Sequence, residues 1–344
     1  MPGQRERQIG VVPYALFGKY GYMMKFLRLC RVATMAVVLA SCNSGEEIKR
    51  GGNGETGTVD FDRIYEYTPA PGQFVNEIVA DHTGGEITLA TIVAYAEQRL
   101  KNGAYLSLGG FGGYVVAGFD HDILNDGDYN IAIGGNQRAE SNEPGVVWVM
   151  YDANGNGLPD DEWYEIAGSE SGEDYASHGT TRGYEVTYYR PTEKKQPVKW
   201  SDSMGNSGEI DYLPQYHRFD CYYPEWIAAD EYTLRGTRLA ARNYDKNAGT
   251  EGDAYWINPP YDWSYADNLG SDAVDGGKVA GLPAGAVYTL HKIADAVDCE
   301  GRSVHLPSVR FVKIQTAVNT KSGWLGEAST EITAIKDYNR IKNR

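Results

Sequence analysis

A short run of oxygen-bearing side chains at residues 152–162 is the sharpest chemical signal in the sequence. It reads DANGNGLPDDE, with side-chain oxygens at its first, third, fifth and ninth positions and glycine at its sixth. Such spacing wraps a loop around a hard cation, because Ca²⁺ takes about six to eight oxygen ligands. Gly157 permits the sharp turn that the loop needs. We predict a structural calcium ion held by Asp152, Asn154, Asn156, the Leu158 carbonyl, Asp160 and Glu162.

The same run has a second interpretation. Its twelfth position is Trp163, where an EF-hand loop has glutamate, so Glu162, Glu165 or water would have to complete the ligand shell. The flanking residues are typical of strands and not of helices. The alternative is therefore an Asx-rich hairpin loop, in which the side chains hydrogen-bond their own backbone and no ion is bound.

A second acidic group surrounds the turn after a predicted strand. It consists of residues 120–122, which read Asp-His-Asp, with Asp126 and Asp128. In a jelly roll, the C-terminal Glu327 and Glu331 would approach it. The simpler interpretation is a solvated turn, since turns are commonly rich in charge.

Aromatic side chains crowd the segment 195–285, next to Asp, Asn and Arg residues. Flat aromatic faces beside polar groups suit a sugar or a large planar ligand. The same rings could equally pack long loops onto the rest of the protein. The candidate ligand-binding residues are Trp226, Trp256, Tyr261, Trp263 and Tyr265.

Sequence motifs of common enzyme classes are missing. The chain has no H-E-x-x-H, no G-x-S-x-G and no P-loop, and its six histidines show no metal-binding pair four residues apart. Carboxylates are abundant, so a pair that acts as in glycoside hydrolases stays open. We predict no particular catalytic residue.

The hydrophobic pattern predicts a mostly β protein with one clear helix. Apolar residues with helical spacing favour a helix over 88–101, with Thr88 as its N-cap and Asn102-Gly103 as its end. Strands are predicted at 113–119, 129–134, 146–151, 163–167, 184–189 and 309–318. Short strands between glycine-rich turns indicate an antiparallel β-sandwich, specifically a jelly roll. We expect a single domain over 59–344, with a loop-rich insertion at about 195–285.

The N-terminal segment predicts a location. A basic stretch at 24–31 precedes a short apolar run at 32–40, which ends in Leu-Ala-Ser before Cys42. The run is too short to span a bilayer and fits a lipoprotein signal with lipidation of Cys42. Residues 1–41 would then be an upstream extension plus signal peptide, and 42–58 a flexible tether. The acidic residues just after Cys42 resemble the surface-export signal of Bacteroidota-type lipoproteins, which implies the outer face of the outer membrane; the alternative is a solvated tether.

Charge and cysteine content restrict the partners. The net charge of −15 argues against nucleic acid, whose phosphates need basic surfaces. Cys221 and Cys299 could form one disulfide or remain free thiols, and their spacing does not decide between these states.

Several segments of the sequence resemble those of a known protein family. They are 108–120, 141–149, 152–165, 166–169, 261–268 and 323–331, which read LGGFGGYVVAGFD, SNEPGVVWV, DANGNGLPDDEWYE, IAGS, YDWSYADN and GWLGEASTE. The chain resembles the cell-surface lipoproteins of Bacteroidota. The resemblance implies a jelly-roll core similar to galactose-binding domains. Some members lie near outer-membrane uptake systems, including those for corrinoids, which implies nutrient capture.

These observations predict a calcium-stabilised module on the cell surface that binds an extracellular glycan or a small nutrient. One alternative is an accessory subunit that docks on an outer-membrane transporter for a nutrient such as a corrinoid. Another is a glycoside hydrolase-like enzyme with two carboxyls facing each other across a cleft.

Overall fold

The computed structural model describes residues 57–81, 86–215 and 219–343. All of them belong to one structural unit, Gly54–Arg344. The predicted signal (1–41), Cys42 and nearly all of the tether (42–58) lie outside the described residues. Within the described ranges, no helix combines the length and hydropathy that crossing a membrane requires.

Strands form most of the regular structure, and helices are few and short. The helices are α1 (Glu77–Asp81), α2 (Leu89–Lys101) and α3 (Asn339–Lys342). The strands are β1 (Arg63–Thr68), β2 (Leu106–Ser107), β3 (Tyr114–Leu124), β4 (Ile131–Gly135), β5 (Gly145–Met150), β6 (Trp163–Ile166), β7 (Thr181–Tyr189), β8 (Val198–Asp202), β9 (Ser207–Ile210), β10 (Glu231–Arg238), β11 (Tyr244–Asp245), β12 (Trp256–Ile257), β13 (Ala273–Asp275), β14 (Val287–His291), β15 (Ala296–Val297), β16 (Ser308–Thr316) and β17 (Glu331–Asp337).

The strands form several antiparallel sheets. The six-stranded sheet has the order β1-β3-β16-β5-β6-β15, and the five-stranded sheet has the order β13-β14-β4-β17-β2. A four-stranded sheet, β10-β7-β8-β9, and the pair β11-β12 complete the set among the described residues. The prediction of a mostly β, antiparallel architecture is confirmed, and the jelly-roll connectivity stays a prediction.

The main hydrophobic core joins the two larger sheets and α2. It contains Val115 and Ile314 of the six-stranded sheet, Ile133 and Ile335 of the five-stranded sheet, and Ile92 of α2, all fully buried. The strand segments are rich in β-branched residues, which pack well on pleated surfaces. Burial of this shared apolar surface is the main favourable contribution to the stability of the fold.

Helix α2 confirms the predicted helix over 88–101. Thr88 forms a capping box with Thr91, and its hydroxyl accepts a hydrogen bond from the Thr91 amide at 3.3 Å. Ala96 and Leu100 are buried in line with Ile92, as the spacing predicts. Leu89 differs from the expected apolar stripe, because it opens the helix and is 75% exposed.

Regular structure also occupies the segment where a loop-rich insertion was expected. Within 195–285 lie β8, β9 and β10 of the four-stranded sheet and the short strands β11 to β13. This sheet has its own core, in which the rings of Tyr184 and Tyr188 are fully buried. Tyrosine and tryptophan supply the apolar surface that aliphatic residues supply elsewhere, so the hydrophobic alternation of these strands is weak in the sequence.

Truncation of Ile314 to alanine tests the shared core. Ile314 is fully buried in β16, between β3 and β5. We expect Ile314→Ala to lower the free energy of unfolding by about 2–5 kcal/mol, since it removes buried methyl groups and leaves a cavity. Urea unfolding followed by circular dichroism measures the change. Leu124→Ala, at a position 63% exposed at the end of β3, is the control and should change stability by less than about 0.5 kcal/mol.

Candidate metal centre

Three carboxylates far apart in the sequence meet near one end of the five-stranded sheet. Glu143, Asp267 and Glu331 each place an oxygen within 4.8 Å of the oxygens of the other two. Asp267 is fully buried, Glu331 is 9% exposed and Glu143 is partly buried. We call these three residues the acidic centre. It is the one group of three or more His, Cys, Asp or Glu side chains with metal-site geometry within the described residues.

Backbone pairing brings the three segments together. Glu331 is the first residue of β17, and Glu143 lies two residues before β5. Gly145, which opens β5, exchanges two backbone hydrogen bonds of 2.9 Å with Ala266. The amide of Glu143 donates to the carbonyl of Asp267 at 3.1 Å. The loop between β12 and β13 is thereby joined to the start of β5, and Asp267 faces Glu143.

Hydrogen bonds hold each carboxylate in place. The two oxygens of Asp267 accept from the backbone amides of Asn136 at 3.0 Å and Glu331 at 2.9 Å. Glu143 Oε1 accepts from the amide of Ser329 at 3.0 Å. The side-chain amide of Asn136 donates to Glu331 Oε2. The centre is therefore built by β4, β5, β17 and the 258–272 loop together.

Burial and mutual repulsion make the charged form of the centre costly. Burial raises the pKa of Asp267 to about 7, in spite of the amides that favour its charged form. Burial, together with the neighbouring carboxylates, also raises the pKa values of Glu143 and Glu331 above their usual range. None of the three forms an ion pair with a lysine, arginine or histidine in the described part of the chain.

A buried amide with no partner lies beside the centre. Gln137 follows Asn136 after the end of β4 and is only 3% exposed. Neither its Oε1 nor its Nε2 forms a hydrogen bond. A Cβ placed on Gly135 would lie 2.5 Å from Gln137 Oε1 and 2.9 Å from Asp267 Oδ1. Both oxygens therefore lie close to Gly135, in space that the side chain of any other residue would need.

The acidic centre can hold a metal ion. Three carboxylates and an amide oxygen are hard ligands of the type that Ca²⁺, Mg²⁺ and Mn²⁺ prefer. A divalent cation would neutralise most of the repulsion and would give Gln137 Oε1 a partner. The sequence pattern predicts an ion at residues 152–162 instead, and it does not point to the acidic centre.

The predicted calcium loop lies where the sequence placed it, between β5 and β6, which pair as antiparallel neighbours. Asp152 accepts from the amides of Asn156 at 3.1 Å and Gly157 at 3.0 Å. Gly157 has φ 73, a left-handed conformation that favours glycine. The side-chain amides of Asn154 and Asn156 donate to Asp160, each at 3.0 Å.

Two other residues of the predicted site form hydrogen bonds within or beside the loop. Glu162 accepts from the Tyr164 hydroxyl at 2.9 Å, and the Leu158 amide donates to Asn156 Oδ1 at 2.7 Å. The hydrogen bonds of the loop are those of the Asx-rich alternative. Calcium at this loop stays a prediction.

The five aromatic candidates lie in different parts of the protein. Tyr261 and Tyr265 are 3% and 0% exposed, and their rings pack edge to face at 5.5 Å. Trp226 packs against the main core near Tyr67, with ring centroids 6.3 Å apart. Trp256 is partly buried in β12.

Trp263 offers the largest exposed fraction of the five, at 39%. It lines a cavity of about 230 Å³ together with Tyr129, Asp272 and Lys292. The structure therefore does not bring the five rings together into one platform.

The cysteines and the second acidic group complete the candidates. Cys221 and Cys299 are not bridged. In the second acidic group, His121 binds Asp120 at 2.6 Å and Asp337 at 2.8 Å, whereas Glu331 belongs to the acidic centre. Asp337 is also paired with Arg340 at 3.2 Å.

Sequence reasoning missed the acidic centre, although a signal was present. Glu143, Asp267 and Glu331 each lie in one of the stretches that carry the family resemblance: 141–149, 261–268 and 323–331. Three such stretches that contain carboxylates point to a shared site, although two of them also carry a second acid, Asp262 or Glu327. Their separation along the chain hides it, because only the sheet pairing shows which of the many acids meet.

No protein-family model matches this chain, and no curated protein is significantly similar to it.

Proposed function

We propose that this chain is a calcium-stabilised binding protein, tethered to the outer-membrane surface through Cys42, whose ligand is an extracellular glycan or a small nutrient. In this proposal the two larger sheets form a jelly-roll scaffold similar to galactose-binding domains. The lipoprotein-like N-terminus supports the location. The mostly β architecture and the acidic centre support a rigid scaffold that needs an ion.

The acidic centre is the observation that carries the proposal. Three buried or partly buried carboxylates lie within 4.8 Å of one another, and no basic residue of the described ranges pairs with them, so the folded protein has to protonate them or neutralise them. Outside the cell, calcium is the hard cation that suits flexible, all-oxygen sites. The ligands come from both larger sheets, since Glu143 precedes β5 and Glu331 opens β17. A bound ion would therefore tie the two sheets together.

The Asp152–Glu162 loop is a second calcium site in this proposal. Its Asn154 and Asn156 amides now donate to Asp160, in the place where a cation would sit. Rotation of these amides would present oxygens instead, at the cost of the turn hydrogen bonds that they accept. The acidic centre carries no such competing hydrogen bonds on Gln137, so we expect it to bind calcium more tightly.

Calcium should stabilise the protein through the acidic centre. At about 100-fold excess over Kd, binding adds about 2.7 kcal/mol to the free energy of unfolding, which raises the Tm by about 5 °C. Glu331→Gln should remove most of this rise, because it removes one charged ligand and keeps the size of the side chain. Differential scanning calorimetry with EDTA and with added calcium measures the effect, and metal analysis of the purified protein gives the number of bound ions.

Asp160→Asn is the matched variant, because it makes the same carboxylate-to-amide change in the exposed loop. It should keep the calcium-dependent rise in Tm nearly complete. If Asp160→Asn abolishes the rise and Glu331→Gln does not, the ion belongs to the loop. If calcium raises the Tm of neither the parent protein nor either variant, the proposal of a calcium-stabilised scaffold is wrong.

The stabilisation by calcium should grow with pH. Burial raises the pKa of Asp267 to about 7 and raises that of Glu331 above its usual range, so the folded protein retains protons that the unfolded chain releases near pH 4. Without metal, this contribution to stability is complete below about pH 4 and is lost as the pH rises through about 7. Calcium competes with these protons and binds better as the carboxylates ionise.

The measurement is the difference in Tm between samples with calcium and with EDTA, from about pH 5 to about pH 8.5. We expect this difference to widen steadily with pH in the parent protein and to stay small in Glu331→Gln. A difference that is constant or shrinks over this range would contradict the role of the buried carboxylates.

A further inference from the structure

A pocket of about 330 Å³ lies between the four-stranded sheet and the segment 319–327. Its apolar wall includes Phe111 and Ile210, which are 1% and 5% exposed, and the indole of Trp200. Asn319, Lys321 and Glu327 form its polar side. We call it the Trp200 pocket. An apolar cavity of this size with a few convergent polar groups is the usual form of a small-molecule site.

Trp200 is set in position by the strands on both sides. It lies on β8, opposite Tyr188 of β7 and Gly208 of β9. A Cβ placed on Gly208 would lie 2.5 Å from Cζ2 of Trp200, so the indole occupies the space that any other residue would fill. Tyr188 is fully buried and its hydroxyl donates to the carbonyl of Phe111 at 2.8 Å. The aromatic wall is therefore formed before any ligand arrives.

The polar groups are also fixed in advance. Asn319 donates through Nδ2 to the Tyr184 hydroxyl at 3.0 Å, and Lys321 Nζ lies 2.7 Å from Asp211. Glu327 is 5% exposed and accepts from the amide of Gln73 at 2.7 Å and from Gln73 Nε2 at 3.0 Å. Thr320 and Ala328 join the two arms of this segment by a backbone bond of 3.0 Å. Preorganisation of this kind lowers the entropic cost of binding.

The chemistry of the walls fits a sugar ring. One face of a pyranose exposes C–H groups, which suit the electron-rich face of an indole. Its hydroxyls both donate and accept hydrogen bonds, and the pocket contains both acceptors and donors to pair with them. Asn319 Oδ1 accepts, Lys321 donates, and Glu327 does either, since burial raises its pKa to about 7. An anionic ligand is disfavoured by Glu209 and Glu327 in the same walls.

We propose that the Trp200 pocket is a carbohydrate subsite, in which a neutral sugar ring stacks on Trp200 and its hydroxyls bind Asn319, Lys321 and Glu327. This inference rests on the proposed function, because it gives the site and the ligand class of the same binding activity. It differs from the sequence-based prediction, which placed the ligand on the aromatic residues of 226–265.

Saturation-transfer-difference NMR tests the pocket on the full mature chain with calcium present. The probes are neutral hexoses, pentoses and N-acetylhexosamines with their disaccharides, and affinities of those that bind are measured by calorimetry. Trp200→Ala should weaken binding by at least about tenfold, equal to about 1.4 kcal/mol. Lys321→Met should weaken it by about threefold or more; its side chain is 46% exposed, so the variant is expected to fold.

Matched controls separate the pocket from general effects. Trp324→Ala removes another partly exposed tryptophan, and Lys199→Met removes an exposed ammonium from the opposite face of β8. Both should bind sugar like the parent protein. Circular dichroism and Tm confirm that each variant is folded.

The outcomes distinguish this inference from the proposed function. Binding that is lost in Trp200→Ala and Lys321→Met and kept in both controls supports the pocket. A sugar that binds the parent and the two pocket variants equally, or that is lost only in Trp263→Ala, overturns the pocket and leaves a carbohydrate-binding protein. If no sugar of the set binds the parent protein, the pocket and the glycan ligand of the proposed function both fail.

Discussion

The carboxylates of Glu143, Asp267 and Glu331 repel one another, and the rest of the structure has to compensate for this repulsion. At 4.8 Å and an effective dielectric of about 20, each like-charged pair costs about 3 kcal/mol. That cost is large against the marginal stability of a folded protein. Protons can remove it near neutral pH, and a divalent cation can remove it at any pH where the carboxylates ionise. The fold is therefore linked to the ions around it.

The acidic centre joins segments of both larger sheets, so repulsion within it affects both. Glu143 precedes a strand of the six-stranded sheet, Glu331 opens a strand of the five-stranded sheet, and Asp267 lies on the loop between β12 and β13. Repulsion at this point would push apart segments that otherwise share the main core. Neutralisation would instead add a cross-link between the sheets next to the main core, to which Ala266 and Ile332 belong.

The sequence predicted the parts of the fold that depend on local pattern. Helix α2 has apolar residues at helical spacing and a threonine cap, and both survive in the structure. Strands such as β5 and β16 are runs of β-branched residues, which few other elements accommodate. The loop after β5 was also located correctly, because its glycines and Asx residues act on their own neighbours.

The parts that depend on distant pairing were not predictable in this way. The buried tyrosines of the four-stranded sheet look the same in sequence as exposed binding residues, and only packing separates Tyr188 from Trp263. The acidic centre depends on the pairing of Gly145 with Ala266 and on the register of β17 with β4. In the sequence, its three residues cannot be distinguished from the many other acidic residues, because only those pairings place them together.

One short stretch of chain serves both of the sites described above. Glu327 lies in the wall of the Trp200 pocket, Glu331 belongs to the acidic centre, and Ser329 between them donates to Glu143. An ion bound at one end of this stretch would also order the other end, so occupation of either proposed site would lower the entropy that the second must lose. Thermodynamic linkage would make this effect reciprocal. If calcium raised the affinity for a ligand by some factor, the ligand would raise the affinity for calcium by the same factor. The five residues 327–331 would thus couple the binding of the ion to the binding of the ligand.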